Sequence, residues 1–90
     1  MANFLDSLAG LIADRKENPR EGSYTNFLLA NPDQAAQKVG EEAAEALVAA
    51  LTQSKERLVE EIADLVYHSM VLLATREATW PEVVAELERR

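Results

Sequence analysis

The sequence predicts an all-α fold, an antiparallel helical bundle, on three observations. Apolar residues recur every three or four positions through long stretches, the spacing that lines one face of a helix. Short clusters of breakers and caps separate these stretches: Asn18-Pro19-Arg20-Glu21-Gly22, Asn31-Pro32-Asp33, Gln53-Ser54 and Thr79-Trp80-Pro81. No stretch alternates apolar and polar residues with a period of two, and no repeat or low-complexity tract interrupts the pattern.

In chain order, Phe4, Leu5, Leu8, Leu11 and Ile12 predict a first helix from about Asn3 to Glu17, stopped by the Pro19–Gly22 cluster. Ser23 or Thr25 caps a short helix through Phe27, Leu28 and Leu29. Asn31 as N-cap and Pro32 at the first helical position open a long helix to about Thr52. Its apolar stripe reads Ala36, Val39, Ala43, Leu47 and Ala50, mostly small residues that let a neighbouring helix approach closely. Ser54 caps the next long helix, to about Arg76. There Leu58, Ile62, Leu65, Ser69 and Leu72 form one stripe, and Val59, Val66, Met70 and Leu73 another. A helix apolar on two sides belongs at the centre of a bundle or between subunits. Thr79 and Glu82 form a capping box for a last helix through Leu87.

Ninety residues make one domain, 1–90, which buries only about 60–65% of its surface on folding. The two stripes therefore predict association, most simply as a two-fold homodimer. Hydrophobic residues make up 48% of the chain, a globular composition. The absence of Cys removes disulfides, thiolate metal sites and cysteine nucleophiles together. No apolar run approaches the roughly 20 residues of a membrane span. The first ten residues lack the basic region of a signal peptide, so a cytoplasmic domain with no membrane partner is expected. Nine Lys and Arg stand against 16 Asp and Glu, for a net charge of −7. That balance excludes broad attraction to a phosphate backbone, and with it a nucleic-acid partner.

The negative charge is concentrated. Residues 1–40 and 65–90 each carry a net −1, whereas residues 41–64 carry −5. Within that segment Glu41, Glu42 and Glu45 share one helix face with Lys38, and Glu61, Asp64 and His68 share a face of the following helix. A short connector makes the two helices antiparallel neighbours, which brings Glu42, Glu45, Glu61 and Asp64 to one point. Such an all-oxygen set suits Mg²⁺, with Mn²⁺ as the alternative ion.

The plain alternative is a solvated acidic face. Against it, the like charges of Glu41 and Glu45 at i, i+4 cost a few tenths of a kcal/mol. Asp64 also sits between Ile62-Ala63 and Leu65-Val66, which predicts burial, and a buried carboxylate needs a partner or a metal. Glu56 and Glu60 read as solvated beside Lys55 and Arg57. The remaining polar residues have structural readings too. Tyr67 and His68 fit a core, Arg15 and Lys16 fit dipole partners at the end of the first helix, Lys38 fits a partner for Glu42, and Ser23 and Thr25 fit caps.

Glu41-Glu42-Ala43-Ala44-Glu45, fifteen residues, then Glu61-Ile62-Ala63-Asp64 resembles the EExxE…ExxD signature of the all-α nucleoside triphosphate pyrophosphohydrolases, the MazG-like superfamily. Gly22-Ser23-Tyr24-Thr25, Lys38-Val39-Gly40-Glu41-Glu42-Ala43 and the run from Glu61 to His68 narrow the resemblance to the phosphoribosyl-ATP pyrophosphohydrolase family of histidine biosynthesis. The resemblance runs from the Arg15 helix to Arg89, and the length agrees with the free-standing enzyme rather than its fusion to the following cyclohydrolase. It implies a MazG-like bundle completed by homodimerisation. The implied reaction is Mg²⁺-dependent cleavage of the α–β phosphoanhydride of phosphoribosyl-ATP, giving phosphoribosyl-AMP and pyrophosphate.

The resemblance also implies roles. Glu42, Glu45, Glu61 and Asp64 hold the metal, which inverts the local sign for a small anionic nucleotide. Glu41 is the catalytic candidate, as a group that orients or deprotonates the attacking water or as a further metal contact. Arg15 and Lys38 neutralise phosphate. Ser23, Tyr24 and Thr25 donate hydrogen bonds to phosphate or ribose, and Tyr67 and His68 bind or support the substrate. Two readings compete with this one: a house-cleaning nucleoside triphosphate pyrophosphatase with the same metal chemistry, and a non-catalytic acidic dimerisation module.

Overall fold

A computed structural model describes residues 3–90. They form five helices: α1 (Phe4–Glu17), α2 (Tyr24–Ala30), α3 (Pro32–Thr52), α4 (Lys55–Thr75) and α5 (Trp80–Arg89). No strand occurs among the described residues, so the fold is all-α as predicted.

Local chemistry sets the boundaries. At the start of α1 the Asn3 side chain accepts from the Asp6 N–H while the Asp6 carboxylate accepts from the Asn3 N–H. The chain then turns at Arg20–Ser23, where the Ser23 N–H donates to the Arg20 carbonyl at 3.1 Å. Gly22 takes φ +81° there, the left-handed position a type II turn assigns to glycine. Ser23 rather than Thr25 caps α2, its hydroxyl accepting from the Asn26 N–H.

Asn31 occupies the N-cap position of α3 but gives it no side-chain bond. Its Nδ2 instead donates back to the Phe27 carbonyl at 2.7 Å, closing α2. Pro32, which has no N–H to satisfy, makes that possible by opening α3 itself. Ser54 caps α4, and Arg76 is its C-cap. The exit is a Schellman turn: the Ala78 N–H donates to the Leu73 carbonyl and the Glu77 N–H to the Ala74 carbonyl, with Glu77 at φ +60°. The Thr79–Glu82 capping box opens α5 as predicted. This helix runs past Leu87 to Arg89, where Arg89 and Arg90 both pair with Glu86.

The core gathers Ile12, Leu28, Ala35, Met70 and Val71, with Leu8, Val66 and Trp80 packed around them. Helix α4 runs through its middle and touches α1, α2 and α3. The connector Gln53-Ser54 folds α4 back along α3, and this pair makes the largest helix contact.

The buried face of α3 differs from the predicted one. Ala35, Glu42, Ala46 and Ala49 are buried, whereas Ala36, Ala43, Leu47 and Ala50 are exposed and Val39 is half-buried. Helix α4 packs about one residue, or roughly 100°, around the helix from the expected stripe. Ala46 and Ala49 are small enough to let the two backbones approach, and the bulkier apolar side chains point elsewhere. Leu47, Leu51 and Val59 are 62%, 75% and 60% exposed. The molecule is correspondingly open. Its accessible surface is 6373 Å², against about 5,200 Å² for a monomer of this mass.

Candidate metal centre

Midway along the α3–α4 hairpin, Glu42 and Glu45 face Glu61. One carboxylate oxygen from each lies within 4.8 Å of the others. Glu42 and Glu61 are buried, with 5% and 3% of their surface accessible, and Glu45 stands at the exposed rim. Each buried carboxylate has one oxygen paired: Glu42 Oε1 with Lys38 Nζ at 3.1 Å, and Glu61 Oε1 with Arg57 Nη2 at 2.6 Å. The other oxygens, Glu42 Oε2 and Glu61 Oε2, are buried with no hydrogen-bond partner.

A buried unsatisfied polar atom costs about 1–3 kcal/mol, and more when it is charged. Two such oxygens beside a third carboxylate fit a hard divalent cation, which binds oxygen ligands of this kind. The electrostatics agree. The neighbouring Glu61 carboxylate, and then the charge of Glu42, hold the Glu45 carboxyl above its ordinary range. That upward shift reflects the like-charge crowding that a bound cation would relieve. A cleft of 290 Å³ opens beside the cluster, lined by Ala44, Glu45, Val48, Gln53, Arg57 and Glu61.

Asp64 departs from the expectation of burial. It is exposed one turn beyond Glu61, and its apolar neighbours Ile62 and Ala63 are exposed too. Residues adjacent in a helical sequence point about 100° apart, so apolar flanks do not cover the residue between them. Asp64 lies outside the three-carboxylate cluster. Its backbone carbonyl accepts the Nδ1–H of His68 at 2.8 Å.

Glu41 also lies outside the cluster, on the solvent side of α3. Gln37 Nε2 donates to it at 2.9 Å, and Lys38 Nζ stands 3.5 Å away. The Gln37 hydrogen bond, with help from the Lys38 charge, holds the Glu41 carboxyl below the usual range against a small opposing effect of burial. Lys38 bridges Glu41 and Glu42, and its hydrogen bond to Glu42 keeps it firmly protonated.

Four of the five aromatic and hydroxyl candidates, Tyr24, Thr25, Tyr67 and His68, meet one another. His68 Nδ1–H donates to the Asp64 carbonyl, and its Nε2 shares a hydrogen bond with the Tyr24 hydroxyl at 3.0 Å. Thr25 Oγ1 and the Tyr67 hydroxyl share a second bond. The Tyr24 and Tyr67 rings stack, and His68 meets both edge-on. Burial raises the Tyr24 phenol, an effect the nearby Lys38 charge opposes, which places the start of α2 beside the Lys38–Glu42 pair. Ser23 serves as the α2 cap.

Arg15 pairs with Asp14 at 2.9 Å near the end of α1. Lys16 does not serve the carbonyls of its own helix; its Nζ donates to Ala74 O, in the last turn of α4. Sequence reasoning passed over two residues that matter here. Asn26 accepts the Arg20 N–H and donates to the Arg15 carbonyl, tying α2 to the end of α1, and nothing local marks it out. Arg57 was read as a solvating neighbour of Glu60, yet it also contacts buried Glu61 at i+4, a spacing that could have flagged it.

Residues 5–90 match the family described as Phosphoribosyl-ATP pyrophosphohydrolase. The Phosphoribosyl-ATP pyrophosphatase of Sulfolobus acidocaldarius is 47% identical over 89 residues, spanning 98% of this chain and 94% of that protein. Its counterpart in Methanocella arvoryzae is 43% identical over 93 residues, spanning all of this chain and 98% of that protein. The Histidine biosynthesis bifunctional protein HisIE of Caldanaerobacter subterraneus is 47% identical over 88 residues, which make up 43% of that protein. On this near-complete match the chain belongs to the phosphoribosyl-ATP pyrophosphohydrolase family.

Proposed function

We propose that this chain, as one domain of residues 1–90, hydrolyses the α–β phosphoanhydride of phosphoribosyl-ATP to phosphoribosyl-AMP and pyrophosphate. The observation that carries the reading is the pair of orphaned oxygens, Glu42 Oε2 and Glu61 Oε2, next to Glu45. Glu42, Glu45 and Glu61 hold Mg²⁺, or Mn²⁺ in its place, with Asp64 one turn along α4 as the fourth ligand. An ion held there would supply polarisation of phosphoryl oxygens and stabilisation of the negative charge on the departing pyrophosphate.

The protein's own groups do the rest. Lys38 and Arg15 neutralise phosphate charge that the acidic surface would otherwise repel. Glu41, whose carboxyl the Gln37 hydrogen bond holds below the usual range, orients or deprotonates the attacking water or adds a metal contact. Ser23, Tyr24 and Thr25 bind phosphate or ribose. Tyr67 and His68 support them by holding the start of α2 against α4. Water is the nucleophile, so no Ser or Cys is required.

The working unit is a homodimer in the cytoplasm, where the nucleotide and Mg²⁺ are both at hand. Leu47, Leu51, Val59 and Ile62 form the bare side of the hairpin, and the surface in excess of a compact monomer supports their burial against a second copy. Sedimentation of the wild-type protein at micromolar concentration should give twice the chain mass; the chain mass alone would remove the dimer.

The function is tested by measuring pyrophosphate release with Mg²⁺ from phosphoribosyl-ATP and from a panel of nucleoside triphosphates. Preference for phosphoribosyl-ATP is expected. Preference for a nucleoside triphosphate would reassign the chain to house-cleaning, and no release from any substrate by folded protein would end the enzymatic reading.

A further inference from the structure

Arg57 reaches a buried carboxylate from solvent. Its side chain is 51% exposed, whereas that of Glu61 is 4% exposed. Nη2 donates to Glu61 Oε1 at 2.6 Å, and Nη1 pairs with Glu60, which stands in the open at 61%. The same guanidinium lines the cleft beside Glu45 and Glu61. One cation thus occupies half of a carboxylate whose other oxygen has no partner.

We propose that Arg57 is an internal competitor for the divalent ion, neutralising Glu61 while the site is empty and passing to a phosphate oxygen of the substrate when the site fills. The proposal rests on the metal-centre reading above. A carboxylate with one oxygen tied to a guanidinium is a poorer metal ligand, so filling the site requires Arg57 to loosen its hold on Glu61. Glu60 makes that movement short. By keeping Nη1 on Glu60, Arg57 frees Nη2 and stays at the rim of the cleft. Arginine suits the task because its planar fork presents several donors at once, so one edge stays anchored while another meets a phosphate oxygen. A lysine would offer a single point charge.

Mn²⁺ is the probe, titrated without nucleotide and followed by loss of the free-ion electron paramagnetic resonance signal. Wild type, Arg57→Gln, Arg57→Lys and the control Lys55→Gln are compared. Lys55 sits on the same helix and outside the cleft lining, so its loss changes the net charge equally without touching Glu61. Arg57→Gln should bind Mn²⁺ about tenfold tighter than wild type, the effect of one half-exposed charge-assisted hydrogen bond. Arg57→Lys should fall between them, and Lys55→Gln should stay within about twofold, as expected of a distant screened charge.

With phosphoribosyl-ATP, Arg57→Gln should raise KM about tenfold and leave kcat within about threefold, since it removes binding shared by ground and transition states. Unchanged or weaker Mn²⁺ binding in Arg57→Gln overturns the competition, as does an equal gain in Lys55→Gln. An unchanged KM overturns the transfer to phosphate. If wild type itself fails to bind Mn²⁺, the metal centre falls and this proposal falls with it.

Discussion

Replacing Glu42 with Gln should make the metal-free protein more stable and the working protein inactive. Glu42 and Glu61 approach within 4.8 Å while both are almost fully buried. Two unit charges at that distance repel by about 3.5 kcal/mol at an effective dielectric constant of about 20. The substitution removes this repulsion without changing the side chain's shape. It also gives up the Lys38 contact at 3.1 Å, but Lys38 is 31% exposed and can return to water, so that loss is about 1 kcal/mol. After allowance for relaxation and for water reaching the site, a net gain of about 1–2 kcal/mol remains, or roughly 5–10 °C in Tm for a domain of this size.

Thermal unfolding followed by circular dichroism, at one protein concentration, checks this in chelator and again in excess Mg²⁺. In chelator Glu42→Gln should melt above wild type. In Mg²⁺ the order should reverse, because wild type gains about 2.7 kcal/mol at a hundredfold excess over its dissociation constant and the variant gains little. Pyrophosphate release should fall by at least about two orders of magnitude, some 2.7 kcal/mol of transition-state stabilisation. A variant that melts below wild type in chelator would show that the buried charges are already compensated. One that gains as much from Mg²⁺ as wild type would remove Glu42 from the ligand set.

Asp64→Asn should likewise lose at least about a hundredfold in pyrophosphate release; retained activity would confine the site to the three clustered glutamates. Glu77→Gly should raise stability by about 1 kcal/mol in urea unfolding, because Glu77 holds a left-handed conformation that suits glycine at the end of α4, and an unchanged midpoint would count against strain there. Because the folded Glu45 carboxyl titrates above its unfolded value near 4.5, its contribution to metal-free stability is complete below that pH and is lost as pH rises through the folded value. The Tm of wild type relative to Glu45→Gln should therefore fall across that window in chelator and hold steady in Mg²⁺; a difference that stays flat in chelator would refute the raised Glu45 carboxyl.

The helix ends were legible in the sequence because caps act within three or four residues. The Ser54 cap and the Thr79–Glu82 capping box form as their spacing indicates. The faces were less legible. Helix α3 has two apolar faces, and hydropathy does not say which one meets α4 and which is left for another surface. The contact went to the smaller residues, Ala46 and Ala49, leaving Leu47 and Leu51 bare. The acidic motif marks the two helices that carry the carboxylate cluster, but apolar flanks point to the wrong buried carboxylate. Asp64 had the apolar flanks, while Glu42 and Glu61 are the residues aimed into the helix contact. Burial on a helix is decided by the residues three and four positions away and by the partner helix, neither of which is visible in a run of five residues.

The position of the cluster explains how so small a protein tolerates two buried anions. Ala35 on α3 and Met70 and Val71 on α4 clamp one end of the hairpin into the core, and Gln53-Ser54 closes the other. Glu42 and Glu61 lie between these fixed ends and are buried there. The destabilisation is therefore carried by the fold rather than escaped, and it is relieved by the nearest positive charges, Lys38 on one side and Arg57 on the other. Each carries half the charge of a divalent ion. The concentration of negative charge in residues 41–64, which excludes a polyanionic polymer as partner, is for the same electrostatic reason what attracts a cation. Once a cation is bound, a triphosphate would meet a positive centre at the cluster itself.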